Sequence, residues 1–250
     1  MGLTYSLAEQ VVIVTGGGGG IGSVIARRFA DADARVVITD INEARAQEVA
    51  ASLPGTGHLG VAVAVDNSAA LKGLAEQLAE RYGRLDVLVN CAGITRPVAH
   101  DDLDGLDDEL IDAIFRVNWR GSFACVRAFR HLLAAKGQGL IVNISSIAGT
   151  TGVGSNVAYC ASKAAVNAMT LSLARALAPA IRVVSVAPGW VEGEYAKRMD
   201  PAILEAQRQK TPLARLAQSE DVAEAVLTVA TTLRFSTGCI IPVDGGRPLN

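Results

Sequence analysis

The stretch Thr15-Gly-Gly-Gly-Gly-Gly-Ile-Gly22 constrains this chain more than any other, because of what flanks it. Val11-Val-Ile-Val14 runs directly into it, and a helix-like pattern over about 20–32 runs directly out. A flexible linker does not sit so tightly between two patterned segments. Glycines there let the backbone turn sharply and approach a pyrophosphate, which then rests on the N–H groups of the helix N-terminus. The run satisfies G-x-G-x-x-G, G-x-x-G-x-x-G and G-x-x-x-G-x-G at once, so it implies a nucleotide cradle without choosing the variant. Gly16, Gly20, Ile21 and Gly22 are its candidate contacts.

The same alternation continues along the chain. Val- and Ile-rich runs near 11–15, 35–39, 60–65, 85–89, 139–144, 181–186 and 239–243 are apolar throughout, as in strands covered on both faces. Ala-rich helical patterns fill about 20–32, 42–52, 68–82, 104–135, 157–178, 197–209 and 219–232. The expectation is an α/β fold: a Rossmann-type, doubly wound parallel sheet of about seven strands flanked by helices. With no repeat, linker or low-complexity break, residues 1–250 read as one domain, with a substrate lid at about 190–212.

Composition excludes several classes. Hydrophobic residues are 50 % and charged residues 19 % of the chain, which rules out disorder. The net charge of −2, with both signs dispersed, gives no footprint for nucleic acid or an anionic membrane. No apolar run reaches the ~18 residues of a membrane span. Met1–Gln10 lacks the basic and apolar regions of a secretory signal, although Met1-Gly2 to Ser6 fits the short myristoylation pattern. Cys91, Cys125, Cys160 and Cys239 have no C-x-x-C spacing, and His58, His100 and His131 are too scattered for a metal cluster. A reducing cytoplasm and no metal are expected.

Asp40 ends the second strand about twenty residues beyond the glycines, where a carboxylate accepts hydrogen bonds from ribose hydroxyls and repels a 2′-phosphate. The glycine loop and Ile41-Asn42 offer no cation, so NAD is favoured over NADP, with Asp40 and Ile41 as contacts. The plain alternative for Asp40 is a helix cap, a job that suits Asn42 better. Asp66 is placed either to meet the adenine or to cap the next helix. Asn90-Cys-Ala-Gly93 is a small-residue turn that lets the chain pass beneath a dinucleotide, with Asn90, Ala92 and Gly93 near it.

Tyr159 and Lys163 are four residues apart, and hence on one helix face. A phenol of pKa roughly 10 is a poor base at neutral pH, and an ammonium nearby favours the phenolate. Ser146, from a strand end, could hold a substrate oxygen beside it. Asn118 sits in a long helical stretch, either as a bland bend residue or as a polar group interrupting the helix to hold a water. No G-x-S-x-G elbow supports serine-hydrolase chemistry.

Thr15–Gly22, Asn90–Gly93, Asn118, Ser146, Tyr159-x-x-x-Lys163 and Pro188-Gly189 together, in this order and spacing, resemble the short-chain dehydrogenase/reductase family over nearly the whole chain. Length separates it from the longer epimerase- and dehydratase-type relatives, which carry an added C-terminal domain. The resemblance implies Tyr159 as general acid/base and Lys163 as the residue that lowers its pKa and holds the nicotinamide ribose. It implies Ser146, rather than Ser145, as the group that orients the substrate oxygen. Asn118 would hold a water linking Lys163 to solvent. Pro188, Gly189 and Val191 would contact the dinucleotide, and Thr95, Val153 and Trp190 would line the substrate pocket with Ser146 and Tyr159. Relatives assemble as tetramers through helices corresponding to about 104–135 and 157–178. Where relatives carry a threonine four residues after Gly189, this chain has Gly193.

The expected activity is an NAD-dependent dehydrogenase for a secondary alcohol (a polyol, sugar or hydroxy acid). A 3-oxoacyl-(acyl-carrier-protein) reductase is the alternative; it would want NADPH and basic residues at the cleft mouth, for which Lys136 and Arg175 are candidates. A nucleotide-sensing binding protein is the reading from outside enzymology, and an intact Ser146, Tyr159 and Lys163 argues against it.

Overall fold

Residues 6–193 and 200–249 are described by the computed structural model. Six parallel strands come first: β1 (Val11–Thr15), β2 (Arg35–Asp40), β3 (Leu59–Ala62), β4 (Val87–Asn90), β5 (Gly139–Ile144) and β6 (Ile181–Pro188). A short ribbon pairs β7 (Val191–Glu192) with β8 (Ala217–Gln218), and β9 (Ile240–Val243) returns to the main sheet. The order in that sheet is β3-β2-β1-β4-β5-β6-β9. The chain direction across the sheet reverses between β1 and β4, which opens a crevice at their C-terminal ends.

The unbroken apolar runs follow from helices on both faces. Val12, Val14, Val36, Ile38, Val142 and Val184 pack against α1 (Gly20–Asp31) and α9 (Ser219–Thr231), in one cluster with Phe29 and Val226. Val11, Ile13, Val37, Leu88, Ile141 and Val183 point the other way, toward Leu71 and Leu78 of α3 (Ser68–Tyr82) and Phe129 and Leu133 of α5 (Ser122–Ala134). Successive strand residues thus belong to opposite cores, so the strands are apolar along most of their length.

Two expected boundaries move. The stretch expected as one helix over 104–135 divides into α4 (Asp108–Phe115), a π-helical segment over Arg116–Gly121, and α5. Asp107 caps α4 by accepting the Leu110 N–H at 2.7 Å. Buried Asn118 sits in the π-helical segment, so the asparagine does interrupt the helix. The third strand stops at Ala62, which leaves Asp66 in the following loop. Asn67 caps α3 by accepting the Ala70 N–H at 3.1 Å, and Asn42 caps α2 (Glu43–Ser52) through the Arg45 N–H at 3.1 Å. Neither Asp66 nor Asp40 is a helix cap. At the head of α9, Asp221 accepts the Gln218 N–H at 2.7 Å.

Two helices complete the cleft walls: α6 (Ala148–Thr151) and α7 (Val157–Leu177). The helix expected over 197–209 is seen as α8 (Pro201–Gln209); its first expected residues, and 194–199 of the expected lid, lie outside the described residues, as do residues 1–5 of the myristoylation pattern. No helix among the described residues is long and apolar enough to cross a membrane.

Candidate active site

A cleft of about 1250 Å³ lies over the C-terminal ends of β1, β2, β4, β5 and β6. Gly16, Gly20–Gly22, Asp40, Ile41, Asp66, Ala92, Gly93, Thr95, Ser146, Val153, Tyr159, Lys163, Pro188, Gly189, Trp190 and Val191 all border it. Residues separated by up to 175 positions therefore share one crevice. Asn90 and Asn118 lie just behind its wall, at 3 % and 1 % exposure.

At the cradle, the turns after β1 and β4 touch. A methyl on Gly16 would lie 2.8 Å from Ala92 Cα, and one on Gly22 would lie 2.4 Å from the Gly16 carbonyl oxygen. Only glycine permits this approach, and Gly16 adopts φ of +64°. Thr15 Oγ1 locks the two turns together by accepting the N–H groups of Cys91 (3.0 Å) and Ala92 (3.1 Å). Nothing in the sequence pattern singled out that threonine. Beneath it, Asn90 Nδ2 donates to Asn143 Oδ1 at 2.9 Å, joining the ends of β4 and β5.

The glycine floor and the open cleft above it fit a dinucleotide. Gly16, Gly18–Gly22 and Asp40 line one end of this cleft and would face the adenosine half, with Pro188, Gly189 and Val191 toward the other. Asp40 is held by main chain, accepting Gly18 N–H at 3.1 Å and Asn42 N–H at 3.0 Å. Asp66 pairs with Arg116 at 3.2 Å. Gly189 runs close under Asp244, whose Cα is 3.0 Å from where a Gly189 methyl would sit.

The opposite end carries the chemistry. Helix α7 starts at Asn156, whose Oδ1 accepts the Tyr159 N–H at 2.6 Å while Nδ2 donates to the Arg96 carbonyl at 2.7 Å. That cap stood three residues before Tyr159 in the sequence, where asparagine is a recognisable helix start. Lys163 lies 6 % exposed, its Nζ 5.7 Å from the Tyr159 ring centroid and donating to the Ile144 carbonyl at 2.9 Å. Burial pulls the Lys163 pKa from 10.5 down to about 8, opposed in part by neighbouring Cys91. A buried cation with one carbonyl partner is thus poised near neutrality in the absence of ligand. Burial likewise pushes the Cys91 thiol up to about 11, against the pull of Lys163, and Cys125 up to about 12, so both remain protonated thiols at neutral pH.

The two serines separate cleanly. Ser145 is buried and donates to the Lys163 carbonyl at 3.2 Å, whereas half-buried Ser146 borders the cleft and accepts the Ala148 N–H at 3.1 Å. Asn118 Oδ1 accepts the Ile94 N–H at 2.8 Å, and Nδ2 donates to the Ile94 carbonyl and Ser162 Oγ at 3.1 Å. A methyl on Gly93 would lie 3.3 Å from Asn118 Oδ1 and 3.7 Å from Lys163 Nζ, so these two groups flank one small gap.

The pocket wall is stitched to itself. Thr95 Oγ1 bonds Ser155 Oγ, Val98 N–H donates to the Ser155 carbonyl at 2.9 Å, and His100 Nε2 meets the Gly154 carbonyl at 3.1 Å. Val153 lies on the rim at 66 % exposure, and Trp190 is half-buried in the cleft. Lys136 and Arg175 are not at the cleft mouth. They precede β5 and β6 at the N-terminal edge of the sheet, away from the crevice. Among the described residues, no three His, Cys, Asp or Glu side chains gather as metal ligands.

This geometry has counterparts. Residues 16–247 match a family model described as Enoyl-(Acyl carrier protein) reductase. The chain belongs to the short-chain dehydrogenase/reductase family. It is 41 % identical over 245 residues to a ketoacyl reductase assigned to the granaticin polyketide synthase of Streptomyces violaceoruber, with 96 % of each chain covered. It is 38 % identical over 246 residues to cis-4-hydroxycyclohexanecarboxylate dehydrogenase of Sinomonas cyclohexanicum, covering 96 % of this chain and 97 % of that one. A crystal structure assigned to the same family from Burkholderia xenovorans superposes with a TM-score of 0.88 at 34 % identity, over 98 % of this chain and all of that one. The protein is an oxidoreductase, acting with a nicotinamide cofactor.

Proposed function

We propose that this oxidoreductase interconverts a secondary alcohol and its ketone on a largely apolar skeleton, with NAD preferred. The observation that carries the substrate reading is the hydrogen-bond inventory of the pocket wall. Thr95, Ser155, Asn156 and His100 spend their polar atoms on one another and on main chain. Ser146 and Tyr159 border the cleft amid Ile94, Pro97, Val98, Val153 and Trp190, a mostly apolar surround for one substrate oxygen. A sugar or polyol brings several hydroxyls, so within the secondary-alcohol class the apolar wall favours a substrate with one carbinol. The name of the Sinomonas relative, a ring-carbinol dehydrogenase, agrees.

In the oxidising direction Ser146 Oγ and the ionised Tyr159 oxygen hold the alcohol hydroxyl, and the Tyr159 phenolate takes its proton, becoming the phenol, as the carbinol C–H bond breaks. The bound nicotinamide supplies the hydride acceptor. Lys163 stabilises the phenolate electrostatically, and its ammonium is kept in place by the Ile144 carbonyl. Asn118 and Lys163, which both approach Gly93, would hold the water through which the proton leaves. Asp40 favours a free ribose over a 2′-phosphate.

A second reading, 3-oxoacyl reduction, is favoured by the names of the family model and the Streptomyces relative. We further infer assembly through α4, α5 and α7. Trp119 and Phe123 stack with centroids 6.1 Å apart while remaining 36 % and 37 % exposed, and Val157 and Leu171 of α7 are exposed as well. Light scattering should return a dimer or tetramer. The deciding assay follows nicotinamide absorbance with both dinucleotides against cyclic carbinols, hexoses, polyols and 3-oxoacyl thioesters. Preferential turnover of a hexose would overturn the substrate reading, and of a thioester would install the second.

A further inference from the structure

Two asparagines grip the cleft wall that runs from β4 toward α4. At Ile94 the main chain is held by Asn118, whose Oδ1 accepts the Ile94 N–H at 2.8 Å and whose Nδ2 donates to the Ile94 carbonyl at 3.1 Å. Just beyond, Asn156 Nδ2 donates to the Arg96 carbonyl at 2.7 Å and to Thr95 Oγ1 at 3.4 Å. The other end of the same amide faces the catalytic helix, where Oδ1 accepts the Tyr159 N–H at 2.6 Å. Asn156 is 1 % exposed. Its oxygen meets an N–H and its nitrogen meets a carbonyl, so turning the amide over would set like groups against each other at both ends. The bonds of Ser155 to Thr95 and Val98 run alongside. One short wall segment therefore ties Asn118, which stands near Lys163, to the first turn of α7, which carries Tyr159.

We propose that Asn156 is a positioning residue for the reaction, setting Tyr159 through its oxygen and the substrate wall through its nitrogen. This rests on Tyr159 as the proton carrier, as read above. Tyr159 is the third residue of α7, in the turn whose N–H groups find no partner inside the helix. Helix ends of this kind fray. A proton acceptor there must be held from outside, because misplacement by about 1 Å costs on the order of a hundredfold in rate. Asn156 supplies that hold and anchors it to the wall against which the substrate lies. It does not itself border the cleft, so it touches neither substrate nor nucleotide and acts only through its two neighbours. The two halves of the amide then have separable effects: the oxygen governs turnover, and the nitrogen governs the fit of the substrate.

The test compares the wild type with Asn156→Ala, Asn156→Ser and Tyr159→Phe, using cyclohexanol and NAD. Turnover is counted per NADH-binding site, from fluorescence titration, so that misfolded chains drop out. Asn156→Ala should lower kcat per site by about tenfold to a hundredfold while NADH affinity stays within about threefold. Serine caps a helix as well as asparagine does but is too short to reach the Arg96 carbonyl as well. Asn156→Ser should therefore recover most of the lost kcat, with KM for cyclohexanol still raised by about threefold or more. Should the alanine variant not fold, this split in the serine variant decides. A kcat per site in Asn156→Ala close to that of the wild type, or a serine variant with unchanged KM or with the alanine variant's kcat, overturns the proposal. Loss of turnover in Tyr159→Phe then leaves the proton carrier standing. Turnover retained by Tyr159→Phe, or cyclohexanol left untouched by the wild type, overturns the reaction reading and the proposal with it.

Discussion

Replacing Lys163 by Met should abolish activity and make the ligand-free protein more stable, in a way that depends on pH. The native pKa of about 8 against an ordinary 10.5 corresponds to roughly 3 kcal/mol by which the fold disfavours the ammonium. Below pH 8 the folded and unfolded chains both carry the proton, and the full destabilisation is present. Between about pH 8 and 10.5 the folded lysine is neutral while the unfolded one stays charged, so stability rises with pH and the penalty shrinks to about 1 kcal/mol near pH 10. Methionine matches the length of the stem without the charge. The lost bond to the Ile144 carbonyl gives back about 1 kcal/mol. The net gain at pH 7 is then about 2 kcal/mol, or a Tm rise of about 4–8 °C for a chain of this size. Melts of both proteins by circular dichroism at pH 7, 8, 9 and 10, without nucleotide, measure it. Cys125 also titrates late, but it is common to both proteins and cancels in the difference, whereas Cys91 feels the Lys163 charge, so both proteins are compared in a Cys91→Ala background. A variant no more stable than wild type at pH 7, or an advantage that does not shrink by pH 10, would refute the argument.

Other consequences are simpler. Tyr159→Phe should lower kcat by about 10²–10⁴-fold while NADH affinity stays within a few-fold, read by steady-state kinetics and titration; near-normal turnover removes Tyr159 as the proton carrier. Gly22→Ala forces a methyl to 2.4 Å from the Gly16 carbonyl oxygen and should cost about 1–3 kcal/mol in thermal or urea unfolding. Gly19→Ala, whose methyl meets nothing within 4 Å, should leave stability unchanged but weaken nucleotide binding by filling the cradle. Gly193 borders the cleft with open space above its Cα, so Gly193→Thr should fold normally and tighten NADH by on the order of threefold to tenfold through an added hydroxyl. Weaker binding in that variant would show that the loop does not face the nucleotide.

Much of this site was legible because its residues occupy strand ends. A strand covered on both faces is apolar along most of its length, so Asp40, Asn90 and Ser146 stand out where the pattern breaks. Asn118 was legible as an anomaly in a helix, and the π-helical segment gives it an inward position. The locking role of Thr15 and the spent polar atoms of the pocket wall were not legible. Each depends on a partner 60 or more positions away, such as Ser155 for Thr95 and Cys91 for Thr15. The expected roles of Lys136 and Arg175 failed for the same reason: charge was readable, and the edge of the sheet on which it lies was not.

The chain by itself determined the alternating fold, the glycine cradle and the pairing of Tyr159 with Lys163, because periodicity and i,i+4 spacing are local properties of a backbone. Tertiary structure decided what those residues experience. Burial, not sequence spacing, brings the Lys163 pKa to about 8, and packing of the cleft wall against the head of α7 sets Arg96 beside Asn156. Desolvation and through-space charge depend on everything that surrounds a group, and that surrounding is assembled only when distant segments meet.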